Sequence, residues 1–226
     1  MLNSMVLKAK ELTPERIDAM YAIMEVYYGN TSQSVFIGDL KKKQDVVLLL
    51  DGQNDIRGFT TLAVFPYDER TQLLYSGDTI VEKEYWGRHG LPQAWLGNAV
   101  MYAEKFDGAT YWFLLSKGYK TYKYLNTFFN KYYPRVDIET PAEIQRIIDT
   151  FAKRQYGDKY CGGVWVAGSD HLKGEYDHTR EVAARDGNTA FFLDKNPGYI
   201  KGDELVCLCE ISVDNLNRMG RRVLGR

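Results

Sequence analysis

The stretch QDVVLLLDGQNDIRGFTTLAVF, residues 44–65, constrains the fold more than any other part of the chain. Two β-rich runs, Asp45 to Leu50 and Ile56 to Phe65, flank the turn formers Asp51, Gly52, Asn54 and Asp55, which is the pattern of an antiparallel hairpin. A third run, Gln72 to Val81, follows a second turn around Asp68 to Arg70. The three together predict a meander that must be bedded on helices.

Helices are signalled on both sides of it. Thr13 is placed to cap, Pro14 suits a first helical position, and Ile17, Met20, Tyr21, Met24 and Tyr28 recur on one face until Gly29 and Asn30. After the meander, Pro92 to Phe106 carries Trp95, Ala99, Tyr102 and Phe106 on one stripe, with Gly108 beyond its end. A strand at Thr110 to Leu115 then leads to a tyrosine-rich helix from about Lys120 to Tyr133, stopped by Pro134. Beyond it, Thr140 and Glu143 form a capping-box pattern ahead of Ile144, Ile147, Ile148 and Phe151. Residues 157–201 are rich in glycine and turn formers and predict loop, with a helix near Thr179 to Arg185. DELVCLCEISV predicts a buried strand, and the basic tail a helix. The expected division is a core at 1–134 and an extension at 135–226 that completes or covers it.

Charge excludes some functions. With 29 basic and 30 acidic residues in 226, the whole chain offers no field to draw nucleic acid or an anionic membrane. The first residues lack the apolar core of a signal peptide, and no apolar run is long enough for a membrane span, so a soluble, cytoplasmic protein is expected. Cys161, Cys207 and Cys209 are an odd set with no framework spacing, and His171 and His178 lie in another segment, so buried thiols are expected rather than a metal site.

The segment GDTIVEKEYWGRHGLPQAW, Gly77 to Trp95, passes from a strand through glycines and basic residues straight into a helix. Free N–H groups at such a helix start and the helix dipole favour an anion. Gly87 and Gly90 would let a phosphate approach the backbone, and Arg88 and His89 would add charge. An ordinary strand-to-helix turn explains the local pattern equally well.

The order of elements over residues 14–133 resembles the GNAT superfamily of acyl-CoA-dependent N-acyltransferases. Gly58 and Phe59 fit that family's third strand, and Val81, Tyr85 and Gly87 match the spacing of its pyrophosphate motif. Trp86 stands where the family has Arg or Gln, His89 and Leu91 replace two glycines, and Gly90 is displaced by one position. The resemblance implies an α/β fold with a mixed, mostly antiparallel central sheet flanked by helices. It also implies a fourth and a fifth strand, Leu73 to Val81 and Thr110 to Leu115, that splay to admit an acyl-CoA or an acyl carrier protein thioester, with no metal. Ile80 and Val81 would pair with pantetheine, and Gly87, Arg88, His89, Gly90 and Leu91 would hold the pyrophosphate. The acceptor would be an amine of an amino acid, peptide or small molecule.

For proton transfer the resemblance implies a tyrosine in the helix after the fifth strand, either Tyr124 or Tyr122, with Tyr124 preferred by spacing from the polar Lys117. Asp78 is the candidate base, because a carboxylate inside an apolar strand is costly unless it has a role; Glu82 and Glu84 are alternatives. Asp78 could equally sit at a bulge permitted by Gly77 and bind backbone N–H groups. Ser116 and Lys117 would orient the thioester or acceptor. The aromatic run YKTYKYLNTFFNKYY offers more apolar surface than one buried stripe needs, which favours a fatty-acyl donor at about 0.8 kcal/mol per buried methylene, although core packing accounts for it too. A non-catalytic acyl-CoA-binding module and a protein-interaction domain using residues 157–201 are the readings from other classes.

Overall fold

The computed structural model describes residues 2–87 and 90–225. In chain order the elements are β1 (Asn3–Lys8), α1 (Pro14–Tyr27), β2 (Tyr28–Gly29), α2 (Gln33–Leu40), β3 (Asp45–Leu50), β4 (Ile56–Asp68), β5 (Thr71–Ser76) and β6 (Ile80–Val81). Then follow α3 (Gly90–Glu104), β7 (Ala109–Ser116), α4 (Tyr119–Phe128), α5 (Ala142–Tyr156), β8 (Tyr160–Cys161), β9 (Trp165–Val166) and β10 (His171–Leu172). The last four are α6 (Thr179–Ala183), α7 (Gly187–Lys195), β11 (Glu204–Glu210) and α8 (Arg218–Val223).

One sheet organises the chain, in the order β1-β3-β4-β5-β7-β11-β9-β8, with β6 also paired to β4. Every pairing is antiparallel except β5 with β7, which run parallel from Thr71 opposite Ala109 to Ser76 opposite Leu114. The sheet is therefore mixed, mostly antiparallel and flanked by helices.

The period-two alternation of strands sorts its side chains between two faces. On one face Val47, Leu49, Leu62, Leu74, Trp112 and Leu114 pack against Trp95 and Leu96 of α3, Leu125 and Phe128 of α4 and Phe192 of α7. On the other, Val46, Leu48, Leu50 and Phe59 meet Met20, Ile23 and Met24 of α1 and Phe36 of α2. The second face continues with Leu73, Phe113 and Val206 under Ile148 and Phe151 of α5. Central strands are thus buried on both sides, and β3 is buried at every residue.

Several elements depart from the sequence reading. β1 and α2 were not anticipated. The helix α1 ends at Tyr27, and Tyr28 begins β2 instead of extending the apolar face. Thr13 does cap α1, accepting from the Arg16 N–H at 3.4 Å. Thr140 does not cap α5, whose N-cap position is Pro141 with no side-chain bond. α3 starts at Gly90, two residues before Pro92. α4 stops at Phe128, and residues 129–133 run on as extended chain bridged to Leu216 and Leu208. The segment 157–201 holds β8, β9, β10, α6 and α7 rather than mostly loop.

The third strand of the meander is also broken. After Ser76 the chain kinks through Gly77, Asp78 and Thr79 and resumes as β6, with Gly58 opposite Val81 and Phe59 opposite Ile80. Between the flanking pairs Ala63–Tyr75 and Phe59–Ile80, three β4 residues (60–62) face four residues (76–79), so one extra residue forms a β-bulge. Thr61 fixes it, donating both its N–H and its hydroxyl to the Gly77 carbonyl at 3.2 and 2.9 Å. Asp78 takes a positive φ of 39° there.

Candidate functional site

Because β6 pairs with β4, no described residue pairs with β7 on that side beyond Leu114, and a cleft opens between the kink and the β7–α4 turn. Its narrowest part, about 50 Å³, lies among Ser76, Asp78, Thr79, Leu115, Lys117 and Thr121. One mouth, about 110 Å³, is bounded by Tyr27, Val81, Trp86, Lys120, Tyr124 and Tyr176. The other, about 370 Å³, is bounded by Asn30, Ser32, Asp39, Asp78, Asp170 and Glu204. A side slot of about 20 Å³ runs down between α3 and α4 among Leu91, Trp95, Trp112, Tyr124 and Phe128.

The two candidate tyrosines face opposite ways. Tyr122 is 1% exposed and donates to the Pro134 carbonyl at 2.9 Å, so it belongs to the core. Tyr124 faces the cleft, with its ring stacked on Phe128 at 6.0 Å and no hydrogen bond to its hydroxyl from described residues. Burial raises its pKa, so it carries its proton at neutral pH.

Asp78 lines both the narrowest part and the larger mouth. Its carboxylate accepts no hydrogen bond from any described residue, so the bulge does not serve to tie it to backbone N–H groups. Burial raises its pKa; Lys43 and Lys117 oppose the shift, and Asp39 and Asp170 add to it. The backbone N–H groups of Asp78 and Thr79 also make no hydrogen bond with described residues.

Lys117 leaves β7 at the floor of the cleft and pairs with Asp170, with Glu204 at 3.8 Å. Burial would lower its pKa, but Glu204 and Asp170 outweigh that and hold it above the usual lysine range. Burial also raises the Glu204 carboxyl, against the pull of Lys117. Tyr28, whose ring lies 5.6 Å from the Lys117 ammonium, is pushed up to about 12 by burial. Asp39 pairs with Lys43 at 2.6 Å, and Lys43 sits 4.3 Å over the Tyr75 ring. Asp170 arrives through the pairing of β2 with β10, secured by Asn30 donating to the Ser169 carbonyl at 2.9 Å.

The remaining expectations scatter. Ser116 is completely buried and donates to the Gly118 carbonyl at 2.9 Å, so its hydroxyl shapes the turn and does not reach the cleft. Ile80 and Val81 line the smaller mouth, but the Val81 carbonyl already accepts the Trp86 indole N–H at 2.7 Å. Gly87 is exposed at φ 80°, and Gly90 begins α3. Leu91 is buried and walls the side slot instead of meeting solvent at a helix start. Arg88 and His89 lie outside the described residues. Glu82 is drawn 3.6 Å from Arg57, and Glu84 is exposed.

Asp39, Lys43, Asp170 and Glu204 were missed as site residues. They come from three separate segments, Asp39 and Lys43 lying four residues apart at the end of α2, and only Glu204, a carboxylate heading an apolar run, carries a local signal of the kind that singles out Asp78. Cys207 and Cys209 are buried, and among the described residues no group of His, Cys, Asp and Glu is arranged to hold a metal ion. No described helix is long and apolar enough to cross a membrane.

No protein-family model matches the chain, and no curated protein matches it. Among solved structures it is similar to a GNAT family N-acetyltransferase from Escherichia coli in complex with CoA, at 14% identity and a TM-score of 0.41, over 57% of this chain and 69% of that one. It is similar to a Mycobacterium tuberculosis protein solved in complex with CoA, at 12% identity and a TM-score of 0.43, over 90% and 97%. It is also similar to an Enterococcus faecalis protein described as a probable N-acyltransferase, at 16% identity and a TM-score of 0.42. That match covers 56% of this chain and spans only 33% of the other.

Proposed function

We propose that the cleft is the active site of an N-acyltransferase that moves a short acyl group from a CoA or carrier-protein thioester to an amine. The observation that carries this reading is the bulged split itself. In support, a protonated tyrosine, Tyr124, and a hydrogen-bond-free carboxylate, Asp78, line adjoining cavities that share Thr79 and Thr121, and a larger mouth opens beyond Asp78.

The donor enters past Trp86 and the acceptor past Asp170. Asp78 takes a proton from the attacking amine, whose nitrogen bonds to the thioester carbonyl carbon. The free N–H groups of Asp78 and Thr79 stabilise the oxyanion that forms. As the carbon–sulfur bond breaks, Tyr124 gives its proton to the departing thiolate. Around the acceptor mouth the four carboxylates of Asp39, Asp78, Asp170 and Glu204 face the two ammonium groups of Lys43 and Lys117, which favours a cationic amine.

The aromatic surface of α4 gives little support to a fatty-acyl chain. Tyr122 packs on Tyr132, Phe191 and Phe192, and Leu125 and Phe128 fill the core. The side slot of about 20 Å³ is only somewhat more than one water occupies, which suits an acetyl-sized group. The test is free-CoA release from acetyl-CoA across a panel of amines that includes a diamine. Release that requires both an amine and Tyr124 supports the reading, and no release with any amine rejects it.

A further inference from the structure

Lys120 stands at the donor-side mouth with its ammonium nitrogen 2.9 Å from the centroid of the Trp86 ring. It makes no ion pair with a carboxylate among the described residues. Its surroundings are aromatic, with Tyr27, Tyr119 and Tyr176 on the same cavity. The charged groups that face it are Lys83, which repels it, and Asp177, which attracts it. Burial and Lys83 together bring its pKa down to about 8.

Elsewhere around the cleft the lysines are neutralised: Lys117 has Asp170 and Glu204, and Lys43 has Asp39. Lys120 instead rests on a π face, a weaker partner for a desolvated ammonium than an anion is. We propose that Lys120 receives a phosphate group of the thioester donor, moving from the Trp86 ring to the phosphate oxygens when the donor binds. The inference rests on the donor reading given above. It places the phosphate contact on α4, beside Trp86. Trp86 meanwhile keeps its indole N–H on the Val81 carbonyl and serves as the platform that holds Lys120 when the cleft is empty.

CoA carries its pantetheine arm on a diphosphate, and a carrier protein carries the same arm on a phosphodiester. Calorimetry with acetyl-CoA, with the acetyl thioester of 4′-phosphopantetheine and with S-acetylpantetheine separates the contributions. Wild-type protein should bind acetyl-CoA at least about tenfold tighter than S-acetylpantetheine. Lys120→Gln should erase that preference without weakening S-acetylpantetheine, and Lys120→Arg should keep it. Phosphopantetheine binding that matches acetyl-CoA and is equally lost in Lys120→Gln assigns the contact to a single phosphate, as a carrier protein supplies. Weaker binding, with the preference for acetyl-CoA still lost in Lys120→Gln, assigns it to the CoA diphosphate. A Lys120→Gln variant that retains the wild-type preference overturns the proposal and leaves the donor reading standing. Failure of the wild type to bind any of the three thioesters removes the donor reading as well.

Discussion

Ser76 pairs with Leu114 at the last rung of the β5–β7 ladder, and one residue later Thr61 holds the Gly77 carbonyl with both its amide and its hydroxyl. The parallel pair therefore ends because β4 captures its neighbour. Gly58 completes the capture, since a side chain at this position would collide with the β6 backbone. A Cβ on Gly58 would come within 2.8 Å of the Ile80 carbonyl oxygen and 3.1 Å of the Val81 Cα, both backbone atoms.

Gly58→Ala should accordingly push β6 away from β4. The expected cost is about 1–3 kcal/mol, which lowers Tm by roughly 2–4 °C per kcal/mol in a chain of this size. Thermal unfolding measures it directly, and a wild-type Tm would mean that β6 shifts at no cost.

Asp78 sets a pH dependence whose sign is fixed by its raised pKa. Between the ordinary value of 3.8 and its folded value the native state binds more protons than the unfolded chain, so stability falls as pH rises through that window. Asp78→Asn removes the penalty. The variant should be more stable than wild type at pH 7, with the advantage shrinking as pH falls through that window and gone below 3.8. Denaturation midpoints across pH test this, and a difference that does not vary with pH contradicts it.

Tyr124→Phe and Tyr122→Phe should separate chemistry from packing. The first removes only a proton source and is expected to lower turnover more than tenfold with donor affinity unchanged. The second leaves the Pro134 carbonyl without its partner and is expected to cost about 1–2 kcal/mol of stability while sparing turnover. Reversed behaviour of the pair would move the acid to Tyr122.

Lys117→Met should cost about 3 kcal/mol, because Asp170 and Glu204 lose their shared cation in a largely buried setting. Urea denaturation gives the number, and a loss under about 1 kcal/mol would show that the cluster is solvated in the free protein.

Much of this fold was legible because its central elements carry strong periodic signals. The β3–β4 hairpin is bounded by its turn residues, and Thr13 and Pro14 mark the start of α1. β1 escaped notice because an edge strand exposed along nearly its whole length shows no alternation. The break after Ser76 was only half legible. Gly77 signalled a possible bulge, but capture by Thr61 and the close approach to Gly58 are tertiary. Asp78 and Tyr124 were local oddities and could be picked out. Lys43, Asp170 and Glu204 join them only through sheet order and the β2–β10 pairing, which no spacing along the chain encodes.

The central claim is that the split between the kink and β7 receives the donor. Another cavity, of about 460 Å³, lies elsewhere beside Arg135, Ile138, Gln145 and Phe191, so the two locations compete directly. Hydrogen–deuterium exchange with and without acetyl-CoA distinguishes them. Donor binding in the split should slow exchange in residues 77–87 and 118–124, around the kink and the start of α4. Protection confined to residues 134–140 would contradict it.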